Sequence, residues 1–191
     1  MIVTTEQLKI KYGNEQVLCI PRSCYEGMQS YDYGDLLSDI RFDGKFKLRY
    51  EVEQDEQWLQ VIPYVVVKCG DEYFITKRLG GDPRLQGMIA YVGGHVNPCD
   101  YVNDIDDEMV FNGYHTLKEG YLRELDEEIG VKNHMVSHSE CIDVFVDDRA
   151  PVSRVHICAL VVADIDPAHK EDVKVKEVEK LEGAWATLEE L

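Results

Sequence analysis

An α+β fold built on a strand-rich sheet is predicted by three observations. Short runs with strand periodicity recur along the chain, one long stretch reads as a single amphipathic helix, and the composition suffices for a full core. The 191 residues are 45% hydrophobic and 30% charged, which suits one compact domain with an elaborated end rather than a disordered chain. A net charge of -17 argues against nonspecific binding of nucleic acid, because phosphate contacts need a surplus of lysine and arginine. The acidity points toward cations, and cations on carboxylates let an acidic protein hold a small anionic ligand. No apolar run is long enough for a membrane helix, and "MIVTTEQLKIKYGNEQ" lacks the basic flank and apolar block of a secretion signal. A soluble, cytoplasmic protein with no membrane partner is therefore expected. The cysteines Cys19, Cys24, Cys69, Cys99, Cys141 and Cys158 are scattered without the close pairs of a zinc site, and are read as reduced thiols.

The elements follow in order. "QVLCIP" reads as a strand, and the aromatic, polar segment from Arg22 to Lys45 holds a short helix around "YGDLLSDI". In "KFKLRYEVE" the alternation of Phe46, Leu48 and Tyr50 predicts a strand with one exposed face, while the continuous apolar run of "VIPYVVVK" predicts a buried one. "CGDE" makes a hairpin turn into "YFITKR". Further strands are expected at "MIAYVGGHV", "CIDVFVD", "SRVHICALVVADI" and "GAWATL", with Gly80 and Gly81 punctuating a loop before the first of these. The long helix is expected to start at Thr116, since "TLKE" sets a hydroxyl three residues before Glu119 in a capping-box arrangement. Gly130, able to adopt the left-handed conformation, is expected to close it.

That helix, "LKEGYLRELDEEIGV", concentrates Glu119, Glu124, Asp126, Glu127 and Glu128, although like charges three or four residues apart destabilise a helix. On a wheel with Glu124 at zero, Glu127 falls at about -60° and Glu128 at about +40°. Leu125, Ile129 and Leu122 fall at about 100°, 140° and 160°. The carboxylates thus share one arc beside a stripe that can bury itself against a sheet. An all-oxygen set of this kind suits hard divalent cations, magnesium or manganese. Taken alone, the same array also suits a solvated acidic face.

"RELDEEIGV", Arg123 to Val131, fills every defined position of the pattern Arg-Glu-aliphatic-X-Glu-Glu-X-Gly-aliphatic, and "YVGGHV" upstream supplies a strand and a glycine pair. In this the chain resembles the Nudix hydrolase superfamily, whose signature box has that second half and that opening. The resemblance implies a Nudix-type α/β/α sandwich with a mixed sheet. Residues 46–191 would form the hydrolase domain, and residues 1–45 an N-terminal extension packed on it or at a dimer contact. The chain departs from the box in one place. Asp100 stands where a glutamate is expected, and residues 101–122 intervene where the family has a short spacer. The connection inside the box is therefore enlarged, a change that closure entropy tolerates well.

The resemblance further implies a divalent-metal-dependent hydrolase, using Mg2+ or Mn2+, that cuts the pyrophosphate linkage of a nucleoside diphosphate derivative or a related diphosphate. Glu124, Glu127 and Glu128 match the family's metal and base positions, and the backbone carbonyl of Gly93 or Gly94 would be a further ligand. Arg123 would pair with a helix carboxylate and hold it. Lys77 and Arg78, ending the hairpin strand, and His95, after the glycine pair, are candidates to meet substrate phosphates. An added acidic ligand could come from Asp147, Asp148, Glu179 or Glu182, among which the sequence does not choose. Trp185 matches a tryptophan common near the end of the fold and is expected in the core. The chain stops at "LEEL", where the family begins a final helix, so the N-terminal segment is expected to cover that face or to build a homodimer. The insertion from Tyr101 to His115 is expected to act as a lid or substrate-selecting loop. The alternative is a Nudix-fold nucleotide-binding or regulatory module without turnover, but such modules lose box carboxylates that this chain keeps. Diphosphate isomerisation on a related fold would need a cysteine such as Cys99 in the site.

Overall fold

Backbone alternation and apolar runs are answered by strands nearly everywhere they were expected. The computed structural model describes residues 4–79, 89–105, 107, 109–149, 153–176, 178–179 and 181–190. Its elements are α1 (Thr5–Tyr12), β1 (Gln16–Pro21), α2 (Tyr33–Asp43), β2 (Lys45–Leu48), α3 (Arg49–Val52), β3 (Trp58–Cys69), β4 (Glu72–Arg78), β5 (Ile89–Ala90), β6 (Val92–Gly93), α4 (Gly113–Ile129), β7 (Val136–Phe145), β8 (His156–Ile165) and β9 (Leu181–Thr187). The result is an α+β fold with an open mixed sheet. Among the described residues, no helix is long and apolar enough to cross a membrane. Gly80 and Gly81, read as loop punctuation, lie outside the described residues, as do Asp106 and Glu108 of the insertion.

Two expectations are corrected. "KFKLRYEVE" is a strand only as far as Leu48, and Arg49–Val52 turns helical. Arg49 drives the change: its guanidinium bonds Glu15 at 2.9 Å, bridges Glu53 at 3.5 Å and lies 4.2 Å from the Tyr12 ring. "MIAYVGGHV" carries two short strands, β5 and β6, rather than one. β5 pairs with β4 and β6 with β3, so the chain changes partner at Tyr91.

The residues divide into two compact units. The first comprises Met1–Pro63, His95–Gly120 and Asp143–Ala159. In it β1 pairs antiparallel with β2 and with the start of β3, through Cys19 opposite Gln60 and Pro21 opposite Trp58. Val17, Cys19 and Val52 pack together under Trp58. The insertion belongs here and forms a hairpin: Asn103 and Phe111 make a β-bridge, and Asp104 N donates to Val110 O at 2.8 Å. Its base is held by aromatic packing, with Tyr101 and Phe111 4.9 Å apart and Phe46 5.4 Å from Phe111. The buried Asp104 carboxylate accepts from Arg41 of α2. Among the described residues of the insertion, Ile105 and Met109 are almost fully exposed.

The second unit comprises Tyr64–Gly94, Tyr121–Ile142 and Leu160–Leu191. β4 pairs with the end of β3 through Lys68 opposite Tyr73, across a turn in which Gly70 takes a positive φ of 60°. β4 pairs along its length with β9, and β6 pairs with β3 through Tyr64 opposite Gly93. The core of this unit joins Val65, Val67, Phe74 and Val92 of the sheet to Leu122, Leu125 and Ile129 of α4 and to Val161 and Ile165 of β8. Trp185 of β9 meets Phe74 edge-on at 5.3 Å and donates its indole N–H to Lys170 O at 3.3 Å. It is half-buried and packs against this core rather than lying within it.

Candidate active site

Everything in the candidate site depends on how α4 is phased. The helix begins at Gly113, three residues before the Thr116 expected to cap it. Asn112 is the residue before the first turn, its Oδ1 accepting from His115 N at 3.0 Å and its carbonyl from Thr116 N at 2.9 Å. Asparagine is among the best residues for that position. Thr116 itself is fully buried, and its hydroxyl donates to Val102 O at 3.2 Å while accepting from Val102 N at 3.0 Å. The insertion supplied a tertiary partner for the hydroxyl that the sequence alone assigned to a cap.

The apolar stripe falls where the wheel put it. Leu125 and Ile129 are completely buried and Leu122 nearly so. The C-terminal turn closes at Gly130, with φ at 73°, as expected. Helices leave their last carbonyls without intrahelical partners, and here four carbonyls near the end of α4 accept from residues beyond it. Gly130 N donates to Asp126 O at 3.1 Å, Val131 N to Leu125 O at 3.1 Å, Lys176 N to Glu128 O at 2.8 Å and Lys174 N to Ile129 O at 3.1 Å.

With the stripe buried, Glu124 and Glu127 divide between two environments. The Glu124 side chain is 14% exposed and that of Glu127 60% exposed, and Arg123 joins them. Its Nη1 donates to Glu124 Oε1 at 2.7 Å and to Glu127 Oε2 at 3.0 Å. Glu128 is half-buried on the same turn. The Glu124 carboxylate lies directly over the α-carbon of Gly94. A Cβ there would meet Oε1 at 2.4 Å, Cδ at 2.5 Å and Oε2 at 2.6 Å. A side chain after β6 would therefore displace the Glu124 carboxylate from this place. Gly94, Arg123, Glu124, Glu127 and Glu128 all belong to the second unit.

The donor chemistry fits a hard divalent cation: carboxylate oxygens and a glycine backbone kept bare beside one of them. As drawn, Arg123 holds two of the carboxylates together, and the glutamates are not the tightest cluster of ligand atoms. Among the described residues, the group of three with mutual distances within 4.8 Å is Cys24, Asp39 and Asp43, in the first unit. Tyr31 donates to Asp39 there at 2.6 Å. Burial, ahead of the two aspartates, pushes the Cys24 thiol up to about 11.

The remaining predicted residues scatter. Lys77 pairs with Glu182 across β4 and β9 at 3.1 Å, and Arg78 sits half-buried at the end of β4, opposite Leu181. His95 directs Nε2 to the amide oxygen of fully buried Gln60 at 2.9 Å and meets the His156 ring edge-on at 5.5 Å, within the first unit. Asp100 is buried and accepts from Asn97 N at 2.8 Å, capping a short turn, while exposed Cys99 lies 3.7 Å from its carboxylate. Asp147 is bonded by Arg149, which holds its carboxyl below the usual range, and Asp148 offers its carbonyl to Arg154 at 3.2 Å. Glu179 is exposed. Of the acidic candidates beyond the box, Glu179 and Glu182 share a unit with the glutamate helix, and Asp147 and Asp148 do not.

One contact was missed by the sequence reading. Lys176 Nζ donates to Asp126 Oδ1 at 2.6 Å and thereby holds that carboxyl below the usual carboxylate range, against an opposing effect of burial. Nothing in the local sequence distinguishes this lysine from its neighbours.

No family model matches the chain. Among curated proteins, it is 29% identical over 191 residues to protein YmaB of Bacillus subtilis strain 168, covering 93% of this chain and 88% of that one. Among solved structures, it superposes on Tm1382, a presumed Nudix hydrolase, with a TM-score of 0.71 and 28% identity, covering 92% of this chain and 87% of that one. A MutT/nudix family protein from Enterococcus faecalis matches less extensively, with a TM-score of 0.48 at 20% identity, over 68% of this chain and 44% of that one.

Proposed function

We propose that the chain, whose fold superposes on a presumed Nudix hydrolase over 92% of its length, hydrolyses the pyrophosphate linkage of a nucleoside diphosphate derivative or a related diphosphate, with Mg2+ or Mn2+. The observation that carries this reading is the seating of the Glu124 carboxylate over Gly94, with Glu127 and Glu128 one turn further along the same helix. A module that only bound nucleotide would have no use for three retained carboxylates and a glycine beside one of them.

In the proposed reaction the oxygen of water bonds to one phosphorus, the bridging oxygen departs with the other phosphate, and a proton is released. Glu124, Glu127 and Glu128, with the Gly94 carbonyl, would hold the cation. When bound, it supplies neutralisation of phosphate oxygens and a water of lowered pKa. Arg123 aligns Glu124 and Glu127 through one guanidinium nitrogen, so that the two carboxylates enter the reaction already oriented. Lys77 and Arg78 are the proposed phosphate contacts, Lys77 exchanging Glu182 for substrate. His95, in the first unit, keeps its bond to Gln60. The buried leucine stripe keeps the helix docked while these groups work.

The test is a panel of nucleotide sugars, dinucleotides, nucleoside triphosphates and diphosphate esters, assayed with magnesium and with manganese. Metal-dependent release of phosphate-terminated products from at least one class is expected. Glu127→Gln is expected to lower that turnover by about 10²-fold or more with an unaltered far-UV circular dichroism spectrum. No turnover across the panel, together with tight binding of a nucleotide, would favour the regulatory-module reading instead.

A further inference from the structure

We propose that Lys176 is a positioning residue for the cation site, holding the last turn of α4 so that Glu127 and Glu128 keep a fixed phase; this rests on the hydrolase reading above. Three contacts converge on that turn from one residue. The Lys176 amide donates to Glu128 O at 2.8 Å, and its Nζ donates to Asp126 Oδ1 at 2.6 Å. Its Cε lies so close to the α-carbon of Gly130 that an added Cβ would meet it at 3.2 Å. The segment bearing Lys176 is itself anchored, because Val173 is buried in the core and Lys174 N donates to Ile129 O at 3.1 Å.

Helix ends fray unless something holds them, and here two cation-binding residues lie in the final turn. Asp126 lies about 200° from Glu124 on the helical wheel, off the arc of the three glutamates. Lys176 can therefore grip the turn without competing for the ligand oxygens. Both side chains are about half exposed, and an ion pair of that kind contributes little to global stability. Its effect should appear in metal affinity, where the partners that orient ligands matter most.

The sign of the effect separates positioning from simple electrostatics. Removing a positive charge beside the carboxylates would by charge alone tighten cation binding, whereas loss of positioning weakens it. The full-length protein is titrated with Mn2+ and free ion is followed by electron paramagnetic resonance, with the wild type, Lys176→Met, Lys176→Gln, Lys176→Arg, Asp126→Asn and Glu127→Gln compared. Lys176→Met is expected to raise the Mn2+ dissociation constant several-fold, up to about tenfold, with Lys176→Arg close to wild type. Lys176→Gln is expected to weaken binding similarly and keeps the test available should Lys176→Met misfold, whereas Asp126→Asn, on a half-exposed side chain, removes a negative charge and is expected to weaken binding by charge alone. Unchanged or tighter binding in both Lys176→Met and Lys176→Gln, while Glu127→Gln weakens it, would overturn the positioning role and leave the cation site standing. If Glu127→Gln leaves Mn2+ binding unaffected, the cation site itself fails and the proposal falls with it.

Discussion

Gly94→Ala isolates the contact on which the proposed chemistry depends. Gly94 is not among the glycines with positive φ, so alanine meets no backbone strain there. Its methyl would lie 2.4 to 2.6 Å from the Glu124 carboxylate. Ordinary contact begins near 3.4 Å, so the carboxylate must retreat by about 1 Å. It is the far end of a flexible side chain, and the retreat is sterically cheap, so the change in stability should stay within about 1 kcal/mol. A misplacement of about 1 Å in a reacting constellation can lower the rate about 10²-fold, equivalent to about 2.7 kcal/mol in the barrier. The assay pairs kcat/KM on the best diphosphate of the panel with a thermal melt. A fall of about 10²-fold with a melting temperature within a few degrees is expected. Near wild-type kcat/KM would refute the claim that Glu124 works from where it sits; a collapsed melting temperature would mean the contact is a packing contact first.

Three further outcomes follow from the structure. Thr116→Val leaves the Val102 amide and carbonyl without their buried partner and is expected to destabilise by about 1–3 kcal/mol in denaturant unfolding, leaving metal affinity as it was. Replacing residues 102–113 with a Gly-Ser linker removes Phe111 from its aromatic contacts and Asp104 from Arg41; a melting temperature lower by several degrees is expected, beyond any shift in substrate ranking, and an unchanged melt would show the hairpin to be uncoupled. Burial pushes the Cys19 and Cys158 thiols up to about 12, so both stay neutral in the native state while unfolded thiols ionise from about 8.5. Their contribution is complete below that value and is lost as pH rises toward 12, so unfolding monitored above pH 9 should show steadily falling stability, with exposed Cys99 the first to react with a thiol reagent.

How far the sequence could be read depended on whether local rules met tertiary partners. The buried runs of β3 and β8 and the stripe of Leu122, Leu125 and Ile129 were legible because periodicity reports burial directly. α1 was not, since it buries Leu8 alone; its one signal was the Thr4 and Gln7 capping box. Thr116 misled because a hydroxyl three residues before a glutamate looks the same whether it caps a helix or bonds a distant backbone. Arg49 ended a strand for reasons held in Glu15 and Tyr12, far away in the chain. In the site, the wheel placed the glutamates on one arc and the resemblance named the Gly93 or Gly94 carbonyl as a ligand, but the seating of Glu124 against Gly94 was not legible, because no period links a helix to the glycine after a strand. Lys176 was invisible, its role set by where the chain returns.

The hairpin inside the signature separates two ideas of what a motif is. Gly94 and Glu124 meet because one follows β6 and the other rides a helix whose leucines share a core with Val92. The thread between them is not what brings them together. A scaffold assembled this way tolerates a cut in the thread: a chain opened within the hairpin carries Gly94 on one fragment and Glu124 on the other, with Asn103–Phe111 and Asp104–Val110 still available to staple them. The hairpin is thus the place at which to split the protein into complementing halves, with the carboxylate seat expected to re-form when the halves reunite.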